Sequence, residues 1–227
     1  MSKTVALINV YNDCQFIAAC IESIKNHVDE IVIADGAYEL YYRKFKQHHR
    51  WARPWSTDGT LEIIRALRDL PKLTIIRCTK PWVNQVEKRT ALLDHVKTGD
   101  WFIIIDADEM LLGDVETGMR EIKASGCITA RVPLVNLGAD IDRLHYFWHP
   151  RIFRKEKGMH YELTHWHLRD YAGRIVETVY PVWWTQRFVM AHLKLLKRPG
   201  RLEAHQDYMM DLQAKGWLEP LREELRK

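Results

Sequence analysis

Cysteine is scarce in this chain of 227 residues: Cys14, Cys20, Cys78 and Cys127 are scattered, and no Cys-x-x-Cys pair occurs. They read as reduced core residues of a cytoplasmic protein rather than as a disulfide framework. Long apolar runs are absent as well. No stretch approaches the roughly 18 to 20 residues that a membrane span needs, so a soluble protein is expected, for which peripheral membrane contact stays open. Met1 to Thr4 leads directly into an apolar strand without the pattern of a secretory signal. Neither sign of charge dominates. A net charge of +4 does not by itself argue for nucleic acid, though it suits anionic substrates. Glycine-rich phosphate cradles are missing too: no Gly-x-Gly-x-x-Gly follows the first strand and no Gly-x-x-x-x-Gly-Lys-[Ser/Thr] occurs. That removes dinucleotide dehydrogenases and P-loop nucleotidases, and leaves any phosphate to a metal and basic side chains. Internal repeats and low-complexity tracts are also lacking.

What is present is a regular alternation. With 47% hydrophobic residues the chain can bury a full core, and one domain over 1–227 is expected. Val5 to Val10 reads as a strand running into Tyr11-Asn12-Asp13. A helix follows with Phe16, Ile17, Cys20, Ile21 and Ile24 at helical spacing, and Asn12 and Gln15 are placed as its cap pair. Glu30 to Ala34 is a second strand ending in Asp35-Gly36. Ser56-Thr57-Asp58-Gly59 opens a helix carrying Leu61, Ile64, Ala66 and Leu67, and Leu73 to Arg77 is a third strand. Asn84 and Glu87 cap a helix through Leu92, Leu93 and Val96. Beyond Gly113 the pattern predicts a helix over 114–124, a strand over 127–135, β-like fragments over 144–148 and 151–154, and a helical, charged tail from Pro199.

The most informative run is Trp101-Phe102-Ile103-Ile104-Ile105-Asp106-Ala107-Asp108-Glu109, a buried strand driven into three carboxylates. Strands alternating with helices imply a mostly parallel sheet, and ligands of such sheets bind outside the carboxyl ends of the strands. That rule gathers Asn9 to Asn12, Asp35 and Asp106 to Glu109 on one rim. Asp106 and Asp108 stand two apart, and converging carboxylates repel unless something positive lies between them. A divalent cation that prefers oxygen, Mn²⁺ or Mg²⁺, is the natural occupant, and such ions commonly arrive with phosphates.

These pieces, in this order, resemble glycosyltransferases of family 2 with the GT-A fold. The resemblance is carried by Tyr11-Asn12-Asp13 after the first strand and by a split signature, Ala34-Asp35-Gly36-Ala37 and Ser56-Thr57-Asp58-Gly59-Thr60. Asn84-Gln85 with Lys88-Arg89, and Asp106-Ala107-Asp108 as the D-x-D, complete it. It implies an α/β fold, a mostly parallel central sheet with helices on both faces and a small antiparallel and helical C-terminal extension. A nucleotide-sugar-binding half over 1–112, an acceptor-side half over 113–198 and a helical tail over 199–227 follow. By the same resemblance Asn9, Tyr11, Asn12, Asn84 and Lys88 belong to the donor site, and Asp35 contacts the nucleobase. Asp106 meets the ribose or a metal-bound water, and Asp108 holds the Mn²⁺ or Mg²⁺ that bridges the diphosphate. His192 fits the place of a late histidine that ligates the metal. The donor would be a UDP- or GDP-sugar. The acceptor could be a glycan, a protein, a metabolite or a modified nucleic-acid base. The first Asp of the usual pair is Ala34 here, which leaves one carboxylate to read the base. A base for the acceptor hydroxyl is expected near 160–165, with Glu162 and His165 as candidates and Asp140 and Asp142 also available.

Other features carry competing readings. Residues 38–55 interleave Tyr41, Tyr42, Phe45, Trp51 and Trp55 with Arg43, Lys44, Lys46, Arg50 and Arg53, as a packed insert, a lid over the donor or a nucleic-acid contact would. Five histidines between His145 and His167 invite zinc, yet no cysteine accompanies them. Trp183-Trp184 suits a core edge better than a sugar platform. A haloacid-type phosphatase would use Asp106 as nucleophile, but its motif belongs on a first strand and continues to Thr or Val, where Met110 stands. A nucleotide-binding protein without catalysis would keep Asp35 and the metal alone.

Overall fold

The structure, a computed structural model, describes residues 2–137, 146–162 and 164–197, together with 203 and 210. Strand β1 (Thr4–Val10) is the hinge of the topology, with β2 (Glu30–Asp35) parallel on one side and β4 (Trp101–Asp106) parallel on the other, and β3 (Lys72–Arg77) lies outside β2. The order in which the chain lays down strands therefore reverses at β1. An open sheet with such a reversal has its crevice at the carboxyl ends of the strands that flank it.

The strands form because their apolar runs have a face to bury on each side. Ala6, Ile8, Val10, Ile31, Ile33, Ile103 and Ile105 pack against helices α1 (Ile17–Ile24), α3 (Thr60–Ala66) and α5 (Val115–Ala124). The alternate residues Val5, Leu7, Val32, Ala34, Phe102 and Ile104 pack against helix α4 (Gln85–Leu93) and against residues 159–176. Period two along each strand thus assigns every strand-end residue to one face.

Strand β5 (Glu109–Gly113) turns back after Ala107-Asp108, and β6 (Thr129–Asn136), β7 (Tyr146–Arg154) and β11 (Phe188–His192) extend the sheet in the order β4-β7-β6-β11-β5. The β4–β7, β7–β6 and β11–β5 pairs are antiparallel, and β10 (Val182–Trp184) runs parallel beside β6. A two-stranded ribbon of β8 (His160–Glu162) and β9 (Thr164–Arg169), followed by α6 (Val176–Val179), covers the α4 side. The result is an α/β fold with a mostly parallel sheet and helices on both faces, as the resemblance implies. No helix among the described residues is long and apolar enough to cross a membrane.

Several local expectations need correction. Helix α1 starts at Ile17 behind Phe16 with no side-chain cap, so Asn12 and Gln15 do not cap it. Asn12, at φ +48°, instead accepts a hydrogen bond from Thr57 N at 2.8 Å, and Gln15 donates to Leu196 O at 2.8 Å. The 38–55 insert holds a helix, α2 (Glu39–His48), because Tyr41 and Phe45 at i, i+4 stack on one face and pack on Tyr11. Its aromatic face, with Ala37 and Ala52, forms a small core of its own. The two fragments expected over 144–154 are one strand across Pro150, from Tyr146 onward, and a register shift opposite Ala130/Arg131, which leaves Arg151 of β7 over, accommodates the proline. Strand β5 was not foreseen in the sequence. The 199–227 tail, apart from 203 and 210, lies outside the described residues, as do Asp140 and Asp142.

Candidate active site

At the exits of β1 and β4 opens a cavity of about 560 Å³. Asn9 and Asp106 stand opposite each other in the β1–β4 register, and by alternation both face the α4 side. There they meet the inner face of α4, where Lys88, Arg89, Leu92 and Leu93 are all buried. Two adjacent cations on a buried helix face need partners. Lys88 Nζ donates to Val10 O at 2.8 Å and Gly36 O at 2.5 Å, tying the ends of β1 and β2 together. Burial pulls its ammonium down to about 7, against the opposing charge of Asp35. Arg89 Nη2 donates to Asp106 Oδ1 at 2.7 Å, while its buried Nε and Nη1 have no acceptor among the described residues.

Arg151, from β7, reaches the same carboxylates: Nη1 stands 3.9 Å from Asp106 Oδ2, and Nη2 donates to Glu109 Oε1 at 2.5 Å. Glu109 also accepts from Asp106 N at 2.8 Å. Burial pushes the Glu109 carboxyl up to about 7, although Arg151 opposes the shift. Asp108 is paired differently. Its Oδ2 lies 2.7 Å from Lys197 Nζ and 3.3 Å from His192 Nε2. Burial would raise the Asp108 carboxyl, but Lys197 and His192 together hold it well below the usual carboxylate range. His192 Nδ1 is 3.0 Å from Asn136 Oδ1, which fixes the ring. Burial disfavours its imidazolium, yet Asp108 raises its pKa.

Asp108 and His192 would suit a divalent cation in donor type and spacing, with Lys197 Nζ, 2.7 Å from the same Oδ2, giving way to it. Cis ligands of an ion at 2.1 Å stand about 3.0 Å apart, close to the 3.3 Å between Asp108 Oδ2 and His192 Nε2. The hydrogen bond from the far side of the ring is the usual support of a histidine ligand. Among the described residues no group of three His, Cys, Asp or Glu side chains can hold a metal. An ion here would therefore take its remaining ligands from phosphate and water, as Mg²⁺ commonly does.

Of the residues named from the sequence, Asn9, Tyr11, Lys88, Asp106, Asp108 and His192 line the cavity. Asp35, Asn12, Asn84 and Glu162 do not. Asp35 lies on the other face of β2 from Ala34, fully buried, and accepts from Ser56 Oγ at 2.5 Å and Ser56 N at 3.2 Å. It therefore sits behind the rim, where it joins the two halves of the split signature. Asn12 N donates to Ser56 Oγ at 2.7 Å and Asp13 N to Thr60 Oγ1 at 2.8 Å, in the same stitching. Asn84 is consumed as the N-cap of α4, accepting from Glu87 N at 2.9 Å. Glu162 has a side chain 54% exposed, 3.5 Å from Arg169 Nε and 4.0 Å from His160 Nε2. The His165 side chain lies outside the described residues.

The second half supplies groups that the sequence did not single out, together with two histidines of the run it weighed for zinc. Arg131, Trp148, His149, Arg151, His167 and Glu177 line the far wall. His167 Nδ1 is hydrogen-bonded to Glu177 Oε1. Burial, with Arg151 and Arg131 nearby, pushes His149 down to about 4. Lys194 and Lys197, just past β11, close the cavity from the side of Asp108. Arg89 was legible as a charge beside Lys88 on an otherwise apolar helix face and Lys197 only as one of the bases that follow His192, whereas Glu177 carries no local signal. Trp184 stands edge-on to Trp148 at 5.1 Å and is half exposed, so it borders the site, while Trp183 packs against the core.

A sequence profile described as glycosyl transferase family 2 matches residues 55–177. An uncharacterized glycosyltransferase of Rickettsia felis is 30% identical over 125 residues, 55% of this chain and 35% of that protein. Its counterpart in Rickettsia typhi is 28% identical over 125 residues, 55% of this chain and 34% of that one. The match thus spans about a third of the length of these curated relatives. Among solved structures, S. aureus TarS aligns with a TM-score of 0.45 at 15% identity over 61% of this chain and 22% of that one. S. aureus TarS 1-349 in complex with UDP aligns with 0.47 at 14%, over 61% and 37%.

Proposed function

Since this chain belongs to glycosyl transferase family 2, whose profile covers more than half of it, we propose that it moves a sugar from a nucleotide-diphosphate sugar to an acceptor hydroxyl. UDP and GDP are the nucleotides to be expected. The observation that carries the reading is the meeting of Asp106 and Asp108 with fixed cations in one cavity at the topological switch point. Arg89, with two buried N–H groups still open, and Arg151, Lys194 and Lys197 are the groups for a diphosphate. Tyr11, Tyr38 and Tyr41 form the aromatic wall against which a base would stack.

Breaking the bond between anomeric carbon and phosphate builds negative charge on the leaving diphosphate and positive charge on the sugar. Cations held in place before the reaction lower that barrier selectively. Asp106, 29% exposed, anchors Arg89 and Arg151 so that their remaining N–H groups are aimed rather than mobile. Mn²⁺ or Mg²⁺ bound by Asp108 and His192 would add Lewis-acid stabilisation of the same charge. Ser56, through Asp35, keeps the β1 and β2 exits in register, so Asp35 serves the base site by position. The acceptor stays among glycan, protein, metabolite and modified nucleic-acid base. The free cysteines and the absence of a membrane-crossing helix among the described residues suit a cytoplasmic enzyme.

Thermal shift against a panel of UDP- and GDP-sugars, with and without Mn²⁺, tests this reading. Stabilisation by one nucleotide class that requires Mn²⁺ and vanishes in Asp108→Ala supports it. Uniform indifference to the panel, or release of phosphate from simple monoesters, contradicts it.

A further inference from the structure

The cavity brings a further ionisable pair to the site, besides the carboxylates at and just beyond the exit of β4. His167 on β9 and Glu177 on α6 both line it, although neither belongs to the motifs that carry the family resemblance. The Glu177 side chain is 1% exposed and that of His167 17%. Glu177 Oε1 is hydrogen-bonded to His167 Nδ1, and Oε2 has no hydrogen-bond partner among the described residues. A carboxylate that holds one ring nitrogen fixes the other as the site of proton exchange. With Nδ1–H donated to Glu177, the neutral form of the ring carries its lone pair on Nε2.

The cavity's carboxylates are paired with cations: Asp13 and Asp108 with Lys197, Asp106 with Arg89 and Glu109 with Arg151. His192 is bound to Asp108 and Asn136. His149 has no carboxylate partner among the described residues, and Arg151 and Arg131 oppose its protonation. Glu162 does not line the cavity. Arg131 on β6 and His149 and Arg151 on β7 line the same cavity as His167, His149 interacts with its charge, and Tyr161 on β8 interacts with Glu177, the carboxylate bonded to the ring.

We infer that His167, oriented by Glu177, is the general base that deprotonates the acceptor hydroxyl; the inference rests on the glycosyl-transfer reading above. The acceptor oxygen forms its bond to the anomeric carbon as its proton passes to His167 Nε2. The bond from that carbon to the diphosphate oxygen breaks, and its electron pair leaves with the diphosphate. The imidazolium so formed is stabilised by Glu177 and returns its proton to solvent. Glu177 is a positioning residue, since it acts through the ring and not on substrate.

Two measurements test this on the full chain. The first is nucleotide release from the UDP- and GDP-sugar panel with Mn²⁺, where water can stand in for the acceptor. His167→Ala and His167→Asn should lose about 10²–10⁴-fold in kcat, with UDP affinity by calorimetry unchanged. Retention of kcat within threefold, or loss of UDP affinity by the same factor as turnover, overturns the assignment. The second measurement, nitrogen-15 NMR of the histidine rings, needs no turnover. It should show His167 protonated at Nδ1 and bare at Nε2, with a strongly deshielded Nδ1 proton that Glu177→Gln shifts upfield. A ring protonated at Nε2 in the free protein overturns the assignment on its own. A wild-type chain that releases no nucleotide from any sugar, yet shows the expected ring, would count against the transfer reading and leave the tautomer standing.

Discussion

Lys88 carries a charge into a fully buried position and answers it with two backbone carbonyls. Its folded pKa of about 7 lies far below the ordinary 10.5, burial being the main cause. Between those values the unfolded chain binds the proton and the folded chain does not, so stability rises with pH through that window. Wild type minus Lys88→Met stability, from urea unfolding at pH 7 and at pH 9.5, should therefore grow by a few kcal/mol at most. A difference independent of pH would contradict it. His149 gives the acid-side counterpart. Held near 4 by burial and two arginines, it stays neutral while the unfolded ring protonates below about 6.5. Stability is lost as pH falls from 6.5 towards 4, and His149→Gln should flatten that limb of the unfolding curve. At this scale the sequence showed which residue types would gather, and Asn9, Tyr11, Lys88, Asp106, Asp108 and His192 do line the cavity. It did not show orientation. Asp35 shares a rim with Asp106 along the chain, but period two turns it to the opposite face, and Ser56 holds it there.

Helix α4 is the element on which the site depends, because it delivers Lys88 and Arg89 to the strand ends. Its start is fixed by Asn84, which accepts from Glu87 N, while Glu87 Oε2 accepts from Val83 N at 2.6 Å. Asn84→Ala should cost about 1 kcal/mol in denaturant unfolding; a change under a few tenths would show that the cap is dispensable. Helix α5 packs its Gly118 on β11, where an added Cβ would lie 2.5 Å from the Phe188 ring. Gly118→Ala is expected to destabilise by roughly 1–3 kcal/mol despite the better helix propensity of alanine, and a rise in Tm would refute that packing. The central parallel strands and the helices beside them were legible because period and capping are local. Helix α2 was less so, since its aromatic and basic residues suit an irregular insert equally well until Tyr11 is known to lie against them. Strand β5 escaped notice because its pairing with β11 joins residues some 80 positions apart, as in Glu109 against His192.

For the molecule as a whole, one sheet joins the half that holds the D-x-D to the half that holds Arg131, His167 and Glu177. The site lies between them because β1 reverses the strand order and because β11 returns to β5. That return brings His192 and Lys197 to Asp108, and no local pattern shows such a closure. His192 could be suggested from its place after an apolar strand, while Lys197 stood only among the bases that follow it and its pairing with Asp108 could not be read. The central claim is that this cavity holds the diphosphate of a nucleotide sugar beside a cation on Asp108 and His192. Anomalous scattering from a crystal grown with Mn²⁺ and UDP tests it most directly. The account predicts a manganese peak in contact with Asp108 Oδ2, His192 Nε2 and the diphosphate, with the uracil against Tyr11. A nucleotide bound outside the cavity, or manganese bound away from Asp108 with Lys197 still seated on its carboxylate, would contradict it.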